Sequence, residues 1–158
     1  MQAHDIFLKQ ALSLAYQNVS SHGQPFGAVI VQANQVVSTA MNEIHLNQDP
    51  TAHAELLAIR RASKKLNRTD LTDCTVYASG QPCPMCLALI YMTGIQNVFY
   101  AYSNEEGADF GLSTSHIYQQ MRQPISEQKI RIEYLPIRLD DQEDLYELWT
   151  KTHQHRVD

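Results

Sequence analysis

The chain has 158 residues, 17 acidic against 12 basic side chains for a formal charge of −5, and 44% hydrophobic residues. That length fits one well-cored domain and excludes a disordered chain, and the acidic balance argues against a protein whose main task is gripping a nucleic-acid backbone. No apolar run approaches the roughly 20 residues of a spanning helix, and three cysteines behind an N-terminus with no basic flank or continuous apolar stretch imply no membrane and reduced thiols in a cytoplasmic protein.

In chain order, MQAHDIFLKQALSLAYQNVSSH sets Ile6, Leu8, Leu12, Leu14 and Ala15 among polar residues, as on a helix with one buried side. The short apolar runs PFGAVIV (25–31) and QVVSTAM (35–41) predict a hairpin with Asn34 near its turn. DPTAHAELLAIRRASKKL (49–66) reads as a helix with Asp49 as N-cap and Pro50 at its first position. Its Ala54, Ala58 and Ala62 form a stripe suited to close packing on a sheet, and its Arg60, Arg61, Lys64 and Lys65 read as a solvated face. CTVYAS (74–79) is a predicted strand, CPMCLALIYMTG (83–94) a helix closed by Gly94, and NVFYAY (97–102) a further strand. SNEEGADFGLS (103–113) reads as loop and leads into a short helix through Tyr118 and Met121. KIRIEYLPI (129–137) reads as a last strand, and DQEDLYELWTKTHQH (141–155) as a terminal amphipathic helix with Leu145, Leu148 and Trp149 inward. No repeat or linker interrupts residues 1–158, so one domain is expected. The fold class is α/β, with a five-stranded mixed sheet covered by helices on both faces.

The stretch SGQPCPMC (79–86) raises the chemical question, because two cysteines three apart can be a redox pair, a structural metal knuckle or part of a catalytic metal site. A thioredoxin-like pair would want a β-α-β setting, which the pattern does not supply. Thirty residues upstream, PTAHAE places His53 and Glu55 two apart. In mid-helix such residues point in nearly opposite directions, so they serve one site only if the helix end faces it. Cys83 sits where an N-cap would be, Pro84 suits the first turn, and Cys86 lies about one turn on. Two helix N-termini therefore converge, and their positive ends favour the thiolates that a metal needs. His53, Cys83 and Cys86 make a ligand set of one nitrogen and two sulfurs, which suits zinc. Three protein ligands leave a fourth position for a water that loses its proton near neutral pH. Cys74, at the far end of its strand, reads instead as a small buried hydrophobe. Glu55 is left as the proton shuttle from that water to a ring nitrogen and then to a departing amine. The combination H-x-E with P-C-x-x-C is the signature of zinc deaminases.

These residues make the chain resemble the cytidine deaminase-like superfamily, a CMP/dCMP-type deaminase domain, and more narrowly the small bacterial guanine deaminases. The resemblance runs through PFGAVIV, NQDPTAHAELLAIR, PCPMCLALIY, VFYA and Ile117–Tyr118. It implies a three-layer α/β/α sandwich, one Zn2+ per subunit and hydrolytic release of an exocyclic amine as ammonia. It also implies a homodimer in which the C-terminal helix and tail, 138–158, are exchanged and help to close the partner's site. It makes His53, Cys83 and Cys86 the ligands and Glu55 the shuttle. Asn42 would hydrogen-bond the base, Phe26 would pack on it, and the backbone N–H of Ala54 would donate to its carbonyl or ring.

Guanine deaminases carry the motif Gly-Phe-Asp-Asp-Ser-Phe-Ile-Tyr, where this chain reads Gly111-Leu112-Ser113-Thr114-Ser115-His116-Ile117-Tyr118. Thr114 thus stands where the family has the carboxylate that accepts from guanine. Asp109 or Glu106 from the loop, or His155 from a partner's tail, are the substitutes the sequence offers, and His116 reads as a packing or surface residue. Gln81 replaces the usual glutamate, and the tail His153-Gln154-His155-Arg156-Val157-Asp158 lacks the family tyrosine. The expected substrate is a small-molecule nucleobase: guanine, or a relative such as isoguanine or an aminotriazine. The alternatives are a tRNA adenosine or cytosine/cytidine deaminase, and a non-catalytic zinc module with four protein ligands.

Overall fold

The run Gly-Ala-Val-Ile-Val turns no polar side chain to either face, the pattern of a strand covered on both sides. In the computed structural model, which describes residues 3–153, it forms β1 (Gly27–Gln32), buried from Gly27 to Val31. The chain forms two compact units, one up to Arg122 and the other from Gln123 onward.

The first unit holds the sheet. β2 (Gln35–Met41) pairs antiparallel with β1 through a two-residue turn in which Ala33 and Asn34 both have positive φ, 47° and 60°. That is the turn whose twist matches flanking strands. β3 (Cys74–Gly80) lies antiparallel on the other side of β1, and β4 (Asn97–Tyr102) runs parallel to β3, for the order β2-β1-β3-β4. The sheet is mixed, as expected, but among the described residues it has four strands. The predicted fifth, 129–137, forms no strand in the structure. Its alternating Ile130, Ile132 and Tyr134 mark one apolar side, but a strand exists only where a neighbour supplies ladder hydrogen bonds, and periodicity does not name the neighbour.

Alternation along β1 sorts the core into two layers. Ala28 and Ile30 pack with Ala54, Leu57, Ala58, Ile59 and Ala62 of α3 (Ala54–Leu66) and with Ile90 of α4 (Pro84–Met92). Val29 and Val31 pack on the opposite face with Phe7 and Ala11 of α1 (Ala3–Ser20), beside Tyr77 of β3. This is a three-layer α/β/α arrangement. The alanine stripe of α3 is fully buried, as expected. On α1 the buried line is Phe7, Ala11 and Ala15, with Leu8 and Leu14 packed beside it as expected, while Ile6, expected inward, is exposed. Gly27 permits the close approach of α1, since a Cβ there would lie 2.4 Å from the carbonyl oxygen of Ala11.

The basic stretch of α3 does more than meet solvent. Arg61 donates to the main-chain oxygen of Thr39 at 2.9 Å and pairs with Glu43, and Lys65 donates to that of Val37 at 3.0 Å. The carbonyls of the edge strand β2 are thereby occupied, which blunts it against pairing with another chain.

Short helices complete the first unit: α2 (Ile44–Asn47), α5 (Asn104–Ala108) and α6 (Ser115–Met121). α5 interrupts the stretch expected as loop, and a capping box between Ser103 and Glu106 starts it. In the second unit a 3-10 turn (Ile125–Glu127) precedes α7 (Leu145–His153). Leu145, Leu148 and Trp149 of α7, expected inward, are exposed at 71%, 44% and 59%. None of the described helices is long and apolar enough to cross a membrane.

Candidate active site

Two helix starts build the site. α3 begins at Ala54 with His53 as its N-cap (φ −73°, ψ 151°), four residues later than the sequence suggests. Asp49 closes a turn of its own instead, its Oδ1 accepting from the N–H of Thr51 at 2.8 Å and from the Thr51 hydroxyl at 2.7 Å. The correction sharpens the geometry: His53 and Glu55 lie on either side of the first helical residue, so both leave from the helix end. α4 starts as expected, with Cys83 as N-cap, Pro84 in the first turn and the N–H of Cys86 donating to Cys83 Sγ at 3.5 Å.

These ends bring His53, Cys83 and Cys86 together with donor atoms all within 4.8 Å of one another, a group that can hold a metal ion. His53 Nδ1 lies 3.4 Å from Cys83 Sγ, and the Cys86 thiol donates to Glu55 Oε2 at 3.6 Å. The electrostatics suit ligation. The Cys86 thiol, then His53, holds the Cys83 thiol well below the ordinary range, and the Cys83 contact raises His53. Cys86 is raised first by its contact with Cys83 and then by burial. Glu55 is 5% exposed, and burial pushes its carboxyl up. Cys74 stays outside the group, buried in the core beside Asp73. The β3-α4-β4 segment is in fact a β-α-β unit, so that ground for setting aside a redox pair fails. What favours a metal is the imidazole seated against Cys83.

The donors open into a cavity of about 290 Å³, lined by Gln24, Phe26, Asn42, Ile44, His53, Glu55, Gln81, Cys83, Gly111, Leu112, Ser113, Thr114 and His116. That is at the small end for ligand sites. Of the expected residues, Phe26, Asn42, His53, Glu55, Cys83 and Thr114 share this wall, and fully buried Cys86 backs it. Ala54 does not line the cavity: it is the first residue of α3 and fully buried. His116 is on the wall although exposed. Asp109 is not, and Glu106 is spent on the capping box. His155 lies outside the described residues. Glu55 is thus the sole carboxylate on the wall among the described residues.

Thr114 reaches its place through a relay. Gln81 Oε1 accepts from the N–H of Asn104 at 3.0 Å, and Asn104 Oδ1 accepts from the N–H of Thr114 at 3.1 Å and from its hydroxyl at 3.4 Å. A glutamate at 81 could accept the first bond equally well, so glutamine preserves that link. Tyr118 donates through its hydroxyl to the carbonyl of Pro82, tying α6 to the loop that carries Cys83. Gln24 and Gln81 were missed as wall residues. Nothing local marks Gln24, whereas Gln81 sits two positions before Cys83. A larger, more apolar cavity of about 560 Å³ shares Phe26, Gln81 and Leu112 with this one but contains none of the metal donors.

Comparison with known proteins agrees with this geometry. The chain is 43% identical over 128 residues, 80% of its own length and 82% of the relative's, to the guanine deaminase of Bacillus subtilis. It is 32% identical over 134 residues, 84% of its length and 85% of the relative's, to a tRNA-specific adenosine deaminase of Aquifex aeolicus. The X-ray structure of guanine deaminase from Bacillus subtilis superposes with a TM-score of 0.83 at 36% identity, covering 100% of this chain and 96% of that one. A family model described as MafB19-like deaminase matches residues 2–152, and the chain belongs to that family.

Proposed function

We propose that this protein is a zinc-dependent hydrolytic deaminase of a free nucleobase, with guanine or a related purine as substrate. As a deaminase it is a hydrolase acting on C–N bonds. The donor set fits zinc: one imidazole and two sulfurs, held at two helix N-termini. His53, Cys83 and Cys86 would hold the ion. Bound there, it supplies Lewis acidity that lets water give up a proton near neutral pH.

The chain's own residues supply the rest. Glu55 takes one proton of the water on its carboxylate and delivers it to a ring nitrogen, then takes the second from the new hydroxyl on the ring carbon and delivers it to the leaving amine. Water's oxygen forms a bond to the ring carbon, the exocyclic C–N bond breaks, and the products are the oxo base and ammonia. Phe26 would pack on the base, and the amide of Asn42 would meet its edge. Thr114 offers a hydroxyl where a carboxylate would suit guanine's N–H groups. The observation that carries this reading is the Glu55 carboxylate, 5% exposed and 3.6 Å from Cys86 Sγ on the wall of a base-sized cavity.

A second reading, deamination of adenosine in tRNA, draws on the Aquifex relative. The formal charge of −5 and the small cavity favour a free base. The test is ammonia release from purines, pyrimidines, their nucleosides and bulk tRNA. The wild-type protein is expected to release it from at least one base, and Glu55→Ala to lose about 10²- to 10⁴-fold in rate with its metal content retained. A variant as active as wild type would overturn the role of Glu55.

The protein is further proposed to be a cytoplasmic homodimer in which residues 138–158 are exchanged between subunits. Ile130, Ile137, Leu139, Leu145, Tyr146 and Trp149, all between 59% and 81% exposed, support an interface between copies. Free cysteines serving as metal donors suit a reducing compartment.

A further inference from the structure

We infer that Gln24 determines specificity by donating a hydrogen bond through Nε2 to an acceptor atom of the base, so that the site favours oxo-substituted bases over counterparts lacking the oxo group. The inference rests on the deaminase reading above. The polarity of the contact follows from a relay whose first donor cannot be reversed. The backbone N–H of Ile44 can only donate, and its acceptor is Oδ1 of Asn42 at 3.2 Å. Asn42 therefore turns Nδ2 the other way, where it donates to Gln24 Oε1 at 3.2 Å. With Oε1 turned toward Asn42, Gln24 has Nε2 as the other end of its amide, which carries two N–H donors and no acceptor.

The relay is anchored. Asn42 is 1% exposed and Asn18 4%, and Asn18 Nδ2 donates to the carbonyl of Gln24 at 2.7 Å and to that of Asn42 at 3.0 Å. The main chains of both wall residues are thus held by one buried amide. Gln24 itself is exposed and lines the cavity with Phe26, His53 and Glu55. No carboxylate other than Glu55 faces that space among the described residues, so a base edge rich in N–H donors meets no anionic acceptor there. An oxo edge meets an oriented amide donor.

The test compares kcat/KM within pairs that keep the leaving amine and differ at the oxo group: guanine with 2-aminopurine, isoguanine with adenine, and cytosine with 4-aminopyrimidine. Two variants separate the roles Gln24 could play. Gln24→Glu keeps an acceptor for Asn42 but removes the donor, and Gln24→Met removes both. Wild type is expected to prefer the oxo member of the pair it turns over, and both variants to shrink that preference by about three- to tenfold. Calorimetric affinities on a Glu55→Ala background, where no turnover intervenes, are expected to shift by the same ratio. If Gln24→Glu keeps the preference while Gln24→Met loses it, Gln24 merely positions Asn42 and the inference is overturned. A preference unchanged in both variants overturns it as well. Wild type releasing ammonia from none of the six bases would overturn the free-base deaminase reading, and this inference with it, whereas activity without a variant effect sinks the inference alone.

Discussion

In the proposed reaction Glu55 is the side chain on which most of the chemistry turns, and burial raises its carboxyl. A carboxyl taken out of water has its charged form penalised, so its pKa rises. A base must be ionised to accept a proton, so activity falls as the pH drops through that raised value. The acid limb of kcat/KM is therefore expected above the ordinary carboxylate range, and a pH–rate profile reads it directly. An acid limb at or below the free glutamate value would mean that the charge of the bound cation outweighs the burial of Glu55. The thiols obey the same rule with another partner. The Cys83 thiol is pulled down by its neighbours, which favours the form that a metal would need.

Turns and caps decide how the elements meet. The β1–β2 turn places Ala33 at φ 47°, a left-handed conformation that costs a residue with a Cβ about 1 kcal/mol or more. Ala33→Gly is thus expected to stabilise the protein by about 1 kcal/mol, raising the thermal midpoint by roughly 2–4 °C in a melt followed by circular dichroism. Ammonia release should stay unchanged, because the turn lies at the end of β1 away from Phe26. A variant that melts at or below the wild-type temperature would show that the turn is not strained. The caps carry a second lesson. Asp49-Pro50 is a strong local helix-start signal, yet the helix waits until Ala54, because Thr51 engages the Asp49 side chain in a turn. Conversely, Ser103 and Glu106 stand at capping-box spacing within an apparent loop, and a short helix follows.

For the molecule as a whole, the apolar side chains exposed along residues 123–153 call for a covering surface. Exposed isoleucines, leucines and a tryptophan in such density are unusual on a monomer's surface. Sedimentation equilibrium is expected to return twice the 18.0 kDa chain mass at micromolar concentration. Truncation after Arg122 is expected to return a monomer that loses activity, with the first unit still folded by circular dichroism. A full-length protein that stays monomeric throughout would remove the exchanged dimer from the account. The negative net charge acts at this level too: it disfavours the dense phosphate contacts that a tRNA enzyme makes.

Local geometry and the clustering of the donor residues are legible in the sequence itself. The spacing of His53 and Glu55, the order Cys83-Pro84-Met85-Cys86 and the runs at 35–41 and 97–102 all encode short-range effects: capping, fixed proline φ and side-chain alternation. Those depend on near neighbours, which a string of residues displays. Three outcomes needed the folded chain. The run at 129–137 lacks a ladder partner that its alternation could not supply, and Arg61 and Lys65, while still exposed, also reach the carbonyls of β2. Gln24 acquired its polarity through Ile44 and Asn42, about twenty residues downstream. Hydrogen bonds across such distances exist only once the sheet and its flanking helices have brought the segments together, which is why the His53, Cys83 and Cys86 cluster could be read from the string and the place of Gln24 on the cavity wall could not.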